Sequence, residues 1–376
     1  MPVRGERTIT LQDLATHVSG LPRMPDNFRP ADVNNPHADY TIEQLHEFLN
    51  GHQLVRSPGE KSEYSNLAVG LLGHLLARNA SLTYEELMRE QIAEPLDMHD
   101  TVIKLNDDLR GRLAPPHLAD GTAASNWDIP PPLAGAGAIR STANDMLRFI
   151  AANLKPPAGA LGTAIETAWT IHQPPLAEGD LAKGLGWLMA RDGQTRWHNG
   201  QSGGYHAALF VNRQIDAGVV VLANTATMEV DQLAEQIIRM LAGATVEPRT
   251  FEKPVEADIA PEIMQRYVGK YQLVPGFVLT VSVDGGKLMV GATGQPTSRV
   301  FAKSETEWFY KVVDATLTFD VDAAGKCDSA ENFQNGIRQQ AKRIESRSRF
   351  HAGASELSAK WWRWPFRAGM LVVPAS

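Results

Sequence analysis

Gly200-Gln-Ser202-Gly-Gly204 is the run in this sequence that spells a serine-nucleophile motif outright. In a Gly-x-Ser-x-Gly elbow the serine sits on a sharp turn between a strand and a helix. Its hydroxyl attacks an acyl carbon with help from an Asp and then a His further along the chain. Here Tyr205 to Asn212 reads as a strand, and the distant histidine downstream is His351, in an aperiodic tail. That context argues against Ser202 as the attacking group, and the Gly203-Gly204 pair reads as a turn. Metal chemistry has no support, because there is no His-Glu-x-x-His pair and no Cys/His cluster. Nucleotide chemistry has none either, since neither Gly-x-x-x-x-Gly-Lys nor Gly-x-Gly-x-x-Gly occurs. The expectation is a chain without metal or organic cofactor.

Whatever chemistry the chain does must be positioned by its helices and strands. Thr10-Leu-Gln-Asp13 opens a helix with a hydroxyl cap and a first-turn carboxylate, and Thr83-Tyr-Glu-Glu86 is a second capping box. Between them, Leu67, Leu71, Leu72, Leu75 and Leu76 recur at helical spacing and predict a core helix from Tyr64 to Arg78. A further helix follows Ser141-Thr142, with Met146, Leu147, Phe149, Ile150 and Leu154 as its apolar stripe. The period then changes. His206 to Asn212 and Ala217 to Asn224 read as buried strands, and Asp231 to Leu241 as a closing amphipathic helix ending at Gly243. Residues 1–243 thus read as one α+β domain. Residues 244–260, with Pro248, Pro254 and no periodicity, have the composition of a linker. Over 261–346, short alternating runs with a Gly turn at Asp284-Gly-Gly286 predict a small β-barrel. Residues 347–376, rich in Arg and Trp, fit neither pattern.

With 376 residues the chain is long enough for two or three domains. A net charge of -7, with Lys and Arg dispersed, lacks the basic stripe that a phosphate backbone demands, so nucleic acid is not an expected partner. No apolar run approaches the roughly 18 residues that a membrane-spanning helix needs. The single cysteine, Cys327, excludes a disulfide framework. Nothing in the sequence speaks to oligomeric state.

Three segments resemble, in order and spacing, the serine β-lactamase and penicillin-binding family. They are Thr8-Ile-Thr-Leu-Gln-Asp-Leu-Ala-Thr-His-Val-Ser-Gly-Leu-Pro22, Pro58-Gly-Glu-Lys-Ser-Glu-Tyr-Ser-Asn66, and Trp197-His-Asn-Gly-Gln-Ser-Gly-Gly204. The likeness is to its class C, esterase and D-aminopeptidase branch, and it covers roughly the first two thirds of the chain. Glu94 to Met98, Gly135 to Thr142, Gly184 to Trp187 and Val219 to Asn224 support it. The resemblance implies a β-lactamase/transpeptidase-like domain of the α+β class, an antiparallel sheet flanked by helices, followed by a lipocalin-like barrel. It implies a small-molecule or short-peptide substrate and export to the periplasm or beyond. It also implies roles. Tyr64 would relay protons and Asn66 would hold the substrate amide, as in the family's Tyr-x-Asn loop. His198-Asn199-Gly200 stands where the family has Lys-Thr-Gly: His198 would supply hydrogen bonding and part-time charge, and Gly200 would let substrate approach the backbone. The N–H of Gln201 would be an oxyanion donor. A phenol with a pKa near 10 needs a neighbouring positive charge or a strong hydrogen bond to act as a base at neutral pH.

The same Gly200 to Gly204 run superficially resembles the Gly-Asp-Ser-Gly-Gly of chymotrypsin-like proteases, but those are all-β and usually disulfide-bonded, unlike this helix-rich region. The family's own nucleophile, a serine with a lysine one helical turn later, has no match here. Only Thr101-x-x-Lys104 and Thr250-x-x-Lys253 come near that spacing, and neither lies upstream of Leu11, where the family carries it. The expectation is that Met1 is an internal methionine of a longer reading frame, and that this chain alone is inactive or serves as a binding protein for a peptidoglycan-like ligand.

Overall fold

The computed structural model describes residues 1–246, 256–274, 277–293, 297–311, 315–334 and 337–344. The chain divides into two compact units, Met1–Glu247 and Pro248–Ser376. The tail over 347–376, most of the linker and Thr250-x-x-Lys253 lie outside the described residues.

The first unit is built on an antiparallel sheet in the order Leu188–Met189, Arg196–Ser202, Tyr205–Asn212, Ala217–Ala223. Successive side chains of a strand point to opposite faces, and both faces of this sheet are covered, which is why Tyr205–Asn212 and Ala217–Ala223 read as largely apolar runs. Ala208, Phe210 and Val219 pack with Val230, Ala234 and Ile238 of the helix Glu229–Leu241. Val211 instead joins Ile150 and Trp187 on the other face, under the helix Ala143–Leu154. The predicted stripe of that second helix is therefore real at Ile150. Leu147 is 51% exposed and faces water, because the stripe needed only one side of the helix.

A helical layer carries the remaining core. Leu14, Leu21, Leu45, Phe48, Leu67, Leu71 and Leu133 form one buried cluster, each such side chain adding about 1.5–3 kcal/mol of burial. Reciprocal capping boxes start Leu11–Ala15 at Thr10 and Asp13, Ile42–Gly51 at Thr41 and Gln44, and Tyr84–Met88 at Thr83 and Glu86. The long helix of this layer runs Asn66–Ala80, two residues later than its apolar spacing suggests. Ser65 stays extended (φ -136°) and turns its hydroxyl into the cap. The helix lies against the turn Pro131–Ala136 so closely that a Cβ on Gly73 would stand 3.0 Å from the Cα of Gly135. Glycine at both positions permits the approach.

In the second unit a short helix, Pro261–Tyr267, precedes strands that close into a barrel of eight. Neighbours in the barrel are neighbours in sequence, except where the first strand, Gly269–Val274, pairs with the last, Ile337–Ile344. Tyr267, Tyr271, Leu279, Leu288, Leu317 and Phe319 fill its core, with Tyr267 stacked on Phe319 at 4.1 Å. The strands Cys327–Gln334 and Ile337–Ile344 carry too many polar residues for their alternation to show in the sequence.

Candidate active site

The extended segment before the helix Asn66–Ala80 owes its shape to the cap. Ser65 is fully buried; its Oγ accepts the N–H of Ala68 at 2.9 Å and donates to the carbonyl of Pro22 at 2.6 Å. That double bond fixes Tyr64 just outside the helix and Asn66 as its first residue. The Arg56–Glu63 ion pair ties down the residue before Tyr64. Asn66 is half-buried and its side-chain amide makes no hydrogen bond among the described residues, so it is free to meet a ligand.

His17 lies against Tyr64. The two rings stack with centroids 4.2 Å apart and planes at 30°. His17 follows the helix Leu11–Ala15 and its Thr16 cap in the left-handed conformation (φ 59°), a position that glycine or asparagine ordinarily takes. The strain is held by two bonds: the Ser65 N–H donates to His17 Nδ1 at 3.2 Å, and the Glu63 N–H donates to the His17 carbonyl at 2.9 Å. Because Nδ1 accepts, the neutral ring carries its proton on Nε2. The guanidinium of Arg23 sits 5.2 Å from the centre of the Tyr64 ring.

Strand Arg196–Ser202 brings the second group of residues. The ring of His198 is 6.3 Å from that of Tyr64. Its Nδ1 lies 2.7 Å from the Asn199 carbonyl, which leaves Nε2 with its lone pair. Leu188–Met189 pairs with Trp197 and Arg196 alone, so among the described residues no strand covers that edge of residues 198–202. Gly200 and Gln201 are exposed along it, and an open edge offers backbone N–H groups to an incoming carbonyl. Ser202 pairs with Tyr205 across a two-residue turn, so it ends a hairpin and cannot be a strand-to-helix elbow. A Cβ on Gly203, at φ +49°, would stand 2.3 Å from the carbonyl of Ser125, so the turn is pressed against that loop.

Behind this strand lies a polar network. The Asp231 carboxylate accepts from Asn199 Nδ2 at 2.8 Å and bonds His206 Nε2 at 2.8 Å, while His206 Nδ1 bonds the Gln201 side chain at 3.0 Å. Helix Glu229–Leu241 thus holds the backs of Asn199 and Gln201, the residues flanking Gly200. On another side of the site Lys183 is buried, with Nζ 2.6 Å from Ser62 Oγ. Thr101 is occupied elsewhere, bonded to Asp145 at 2.8 Å. Among the described residues no group of three His, Cys, Asp or Glu side chains is placed to hold a metal ion.

Residues 1–243 match the family model described as Beta-lactamase. The chain belongs to the beta-lactamase family. Residues 253–344 match a model described as a domain of unknown function. Over 153 residues the chain is 35% identical to the D-alanyl-D-alanine-carboxypeptidase/endopeptidase AmpH of Escherichia coli, covering 40% of this chain and 37% of that protein. It is 29% identical over 197 residues to a Beta-lactamase of Yersinia enterocolitica, covering 49% and 45%. The chain thus spans less than half the length of these relatives. Among solved structures it is similar to a beta-lactamase/D-alanine carboxypeptidase from Yersinia pestis (TM-score 0.51, 23% identity, 64% of this chain and 72% of that one). It is also similar to a class C beta-lactamase (TM-score 0.53, 19% identity, 64% and 70%). At those identities the structural likeness speaks for the fold, which is the β-lactamase/transpeptidase-like one.

Within this family fold, burial sets the electrostatics of the site. It pushes the Tyr64 phenol up, against the opposing pull of Arg23, so Tyr64 holds its proton at neutral pH. His17 is pushed down to about 3, by burial first and then by His198, Lys183 and Arg23. Burial also lowers His198, although its bond to the Asn199 carbonyl and the charge of Asp231 resist. The part-time charge expected of His198 is correspondingly reduced, and near neutral pH it presents a neutral ring. Tyr64, His17, Arg23 and His198 are therefore close neighbours. His17, Arg23 and Lys183 were not singled out from the sequence. His17 lies inside the Thr8 to Pro22 segment that carries the resemblance, but a lone Arg or Lys gives no local signal of facing a cleft.

Proposed function

We propose that this chain carries the substrate-binding side of a serine hydrolase site that acts on amide or ester bonds through an acyl-enzyme. The substrate class is a β-lactam, a D-amino-acyl peptide or a small ester. Tyr64 passes protons to and from the leaving group, and Asn66 holds the substrate amide. His198 supplies a neutral hydrogen-bonding ring where its relatives' motif has a lysine. Gly200 lets the substrate lie against the strand edge, where the Gln201 N–H serves as an oxyanion donor. What supports this reading is one observation: Tyr64 and His198, more than a hundred residues apart in sequence, approach to 6.3 Å beside an uncovered strand edge. A neutral His198 favours small esters over substrates that need a fixed positive charge.

A second reading is a binding protein that holds a peptidoglycan-like ligand in the same cleft without cleaving it. The observation that favours it is the lack of any Ser-x-x-Lys in the sequence. Calorimetry and product analysis on the full chain decide between them, with benzylpenicillin, diacetyl-Lys-D-Ala-D-Ala and p-nitrophenyl acetate as probes. Turnover of any probe supports the hydrolase. Binding without turnover, weakened about tenfold in Asn66→Ala by loss of roughly one hydrogen bond, supports the binding protein. A folded chain that neither binds nor cleaves any of the three overturns both.

A further inference from the structure

Ser62 continues the row of alternate positions formed by Tyr64 and Asn66, one step earlier in the chain. Its hydroxyl is half-buried and sits 2.6 Å from Lys183 Nζ. Lys183 itself is 7% exposed, and among the described residues no carboxylate lies within ion-pair distance of it; its other bond is a long one, 3.4 Å, to the carbonyl of Leu181. A buried ammonium without a carboxylate partner is unstable in its charged form. Burial accordingly pushes Lys183 below the ordinary lysine range, opposed only by Asp180. Ser62 stands two residues before Tyr64, and the charge of Lys183 reaches His17, whose ring stacks on Tyr64, so the pair lies in the neighbourhood of Tyr64 and His17. An amine biased toward its neutral form, within hydrogen-bond reach of a hydroxyl, is the arrangement that makes a serine nucleophilic.

We propose that Ser62 and Lys183 are a nucleophile–base pair that accepts an acyl group from an activated ester or β-lactam. Neutral Lys183 takes the Ser62 Oγ proton as Oγ bonds the carbonyl carbon. The tetrahedral adduct collapses with cleavage of the carbonyl–O or carbonyl–N bond, the leaving group takes a proton from Tyr64, and the proton held on Lys183 restores Tyr64. Water then attacks acyl-Ser62, giving one proton to Lys183, which returns it to Ser62 Oγ as the acid departs. Ester and water go in, acid and alcohol come out, and no oxidant or metal is consumed. The inference rests on the cleft assigned above and adds a nucleophile that belongs to this chain.

The test is intact-mass and peptide-level mass spectrometry of the full chain after treatment with a fluorophosphonate. The expected result is a single adduct on Ser62, lost in Ser62→Ala, slowed at least tenfold in Lys183→Met and unchanged in Ser202→Ala. Peptide mapping on the unsubstituted protein gives the site even if a variant fails to fold. No adduct, an adduct on another serine, or equal labelling of Lys183→Met overturns the pair. These outcomes are separable from failure of the cleft itself, since a chain that binds the three probes but takes no label keeps the binding site and loses only the Ser62 nucleophile.

Discussion

The imidazole of His17 stacks on the phenol ring of Tyr64 at 4.2 Å while its Nδ1 accepts the backbone N–H of Ser65, so a single side chain braces the tyrosine and the helix cap behind it. Stacking of this kind contributes about 0.5–1.5 kcal/mol beyond burial. Leaving the buried Ser65 N–H without a partner costs about 1–3 kcal/mol. His17→Ala is therefore expected to lower the urea midpoint clearly. His17→Asn, which tolerates the left-handed backbone, should lose less.

His17 also sets a pH dependence. Its pKa falls from an ordinary 6.5 in the unfolded chain to about 3 when folded. Below pH 6.5 the unfolded state takes up a proton that the folded state refuses, so the unfolded state gains as pH drops. Stability should be at its full value above pH 6.5 and decline by a few kcal/mol as pH falls from 6.5 toward 3. Urea titrations at several pH values, on the unsubstituted protein and on His17→Asn, isolate the effect. Parallel curves for the two proteins would remove His17 as its source.

Tyr64→Phe keeps the stack on His17 and the Arg23 contact but removes the hydroxyl. Thermal stability should change by less than about 1 kcal/mol, because Tyr64 is 39% exposed and its hydroxyl makes no hydrogen bond among the described residues. Turnover of diacetyl-Lys-D-Ala-D-Ala, whose amine leaving group must take up a proton, should fall by roughly a hundredfold or more. A variant as active as its parent would take Tyr64 out of the chemistry.

Asp231 bonds both Asn199 and His206, and the His206 side chain is only 1% exposed. Asp231→Ala leaves these partners unmatched behind the strand and is expected to cost about 3 kcal/mol. Asp231→Asn retains an acceptor and should recover part of it. Differential scanning calorimetry reads both directly.

Cys327 is fully buried in the barrel, with Sγ 3.4 Å from the Tyr271 hydroxyl, and burial raises its pKa. A thiolate is the reactive species, so the native protein should be inert to Ellman's reagent and release one equivalent in denaturant. Fast labelling without denaturant would mean that the barrel opens readily.

The capping residues Thr10, Thr83 and Thr142 and the strands Tyr205–Asn212 and Ala217–Ala223 were legible because local chemistry alone specifies them, whereas the cap at Thr41 passed unread. Tyr64, Asn66 and His198 could be named as candidates because they sit in short runs with fixed spacing, and Tyr64 and His198 lie 6.3 Å apart. What lay hidden depends on distance along the chain. Lys183 meets Ser62 across more than a hundred residues, and neither neighbourhood hints at the other. Burial hid a different thing. From the sequence His198 is an ordinary imidazole, and only its enclosure lowers its affinity for a proton.

The barrel's closure has a consequence for synthesis. Each of its hairpins can form as soon as two adjacent strands have left the ribosome, but Gly269–Val274 must wait for Ile337–Ile344 before its outer edge is satisfied. Closing that long loop is the slow, entropically expensive step. Until it happens the nascent domain shows two open edges, each able to pair with another chain. A polypeptide cut short before residue 337 would keep both edges permanently, and its failure would be aggregation rather than simple loss of one strand's contacts.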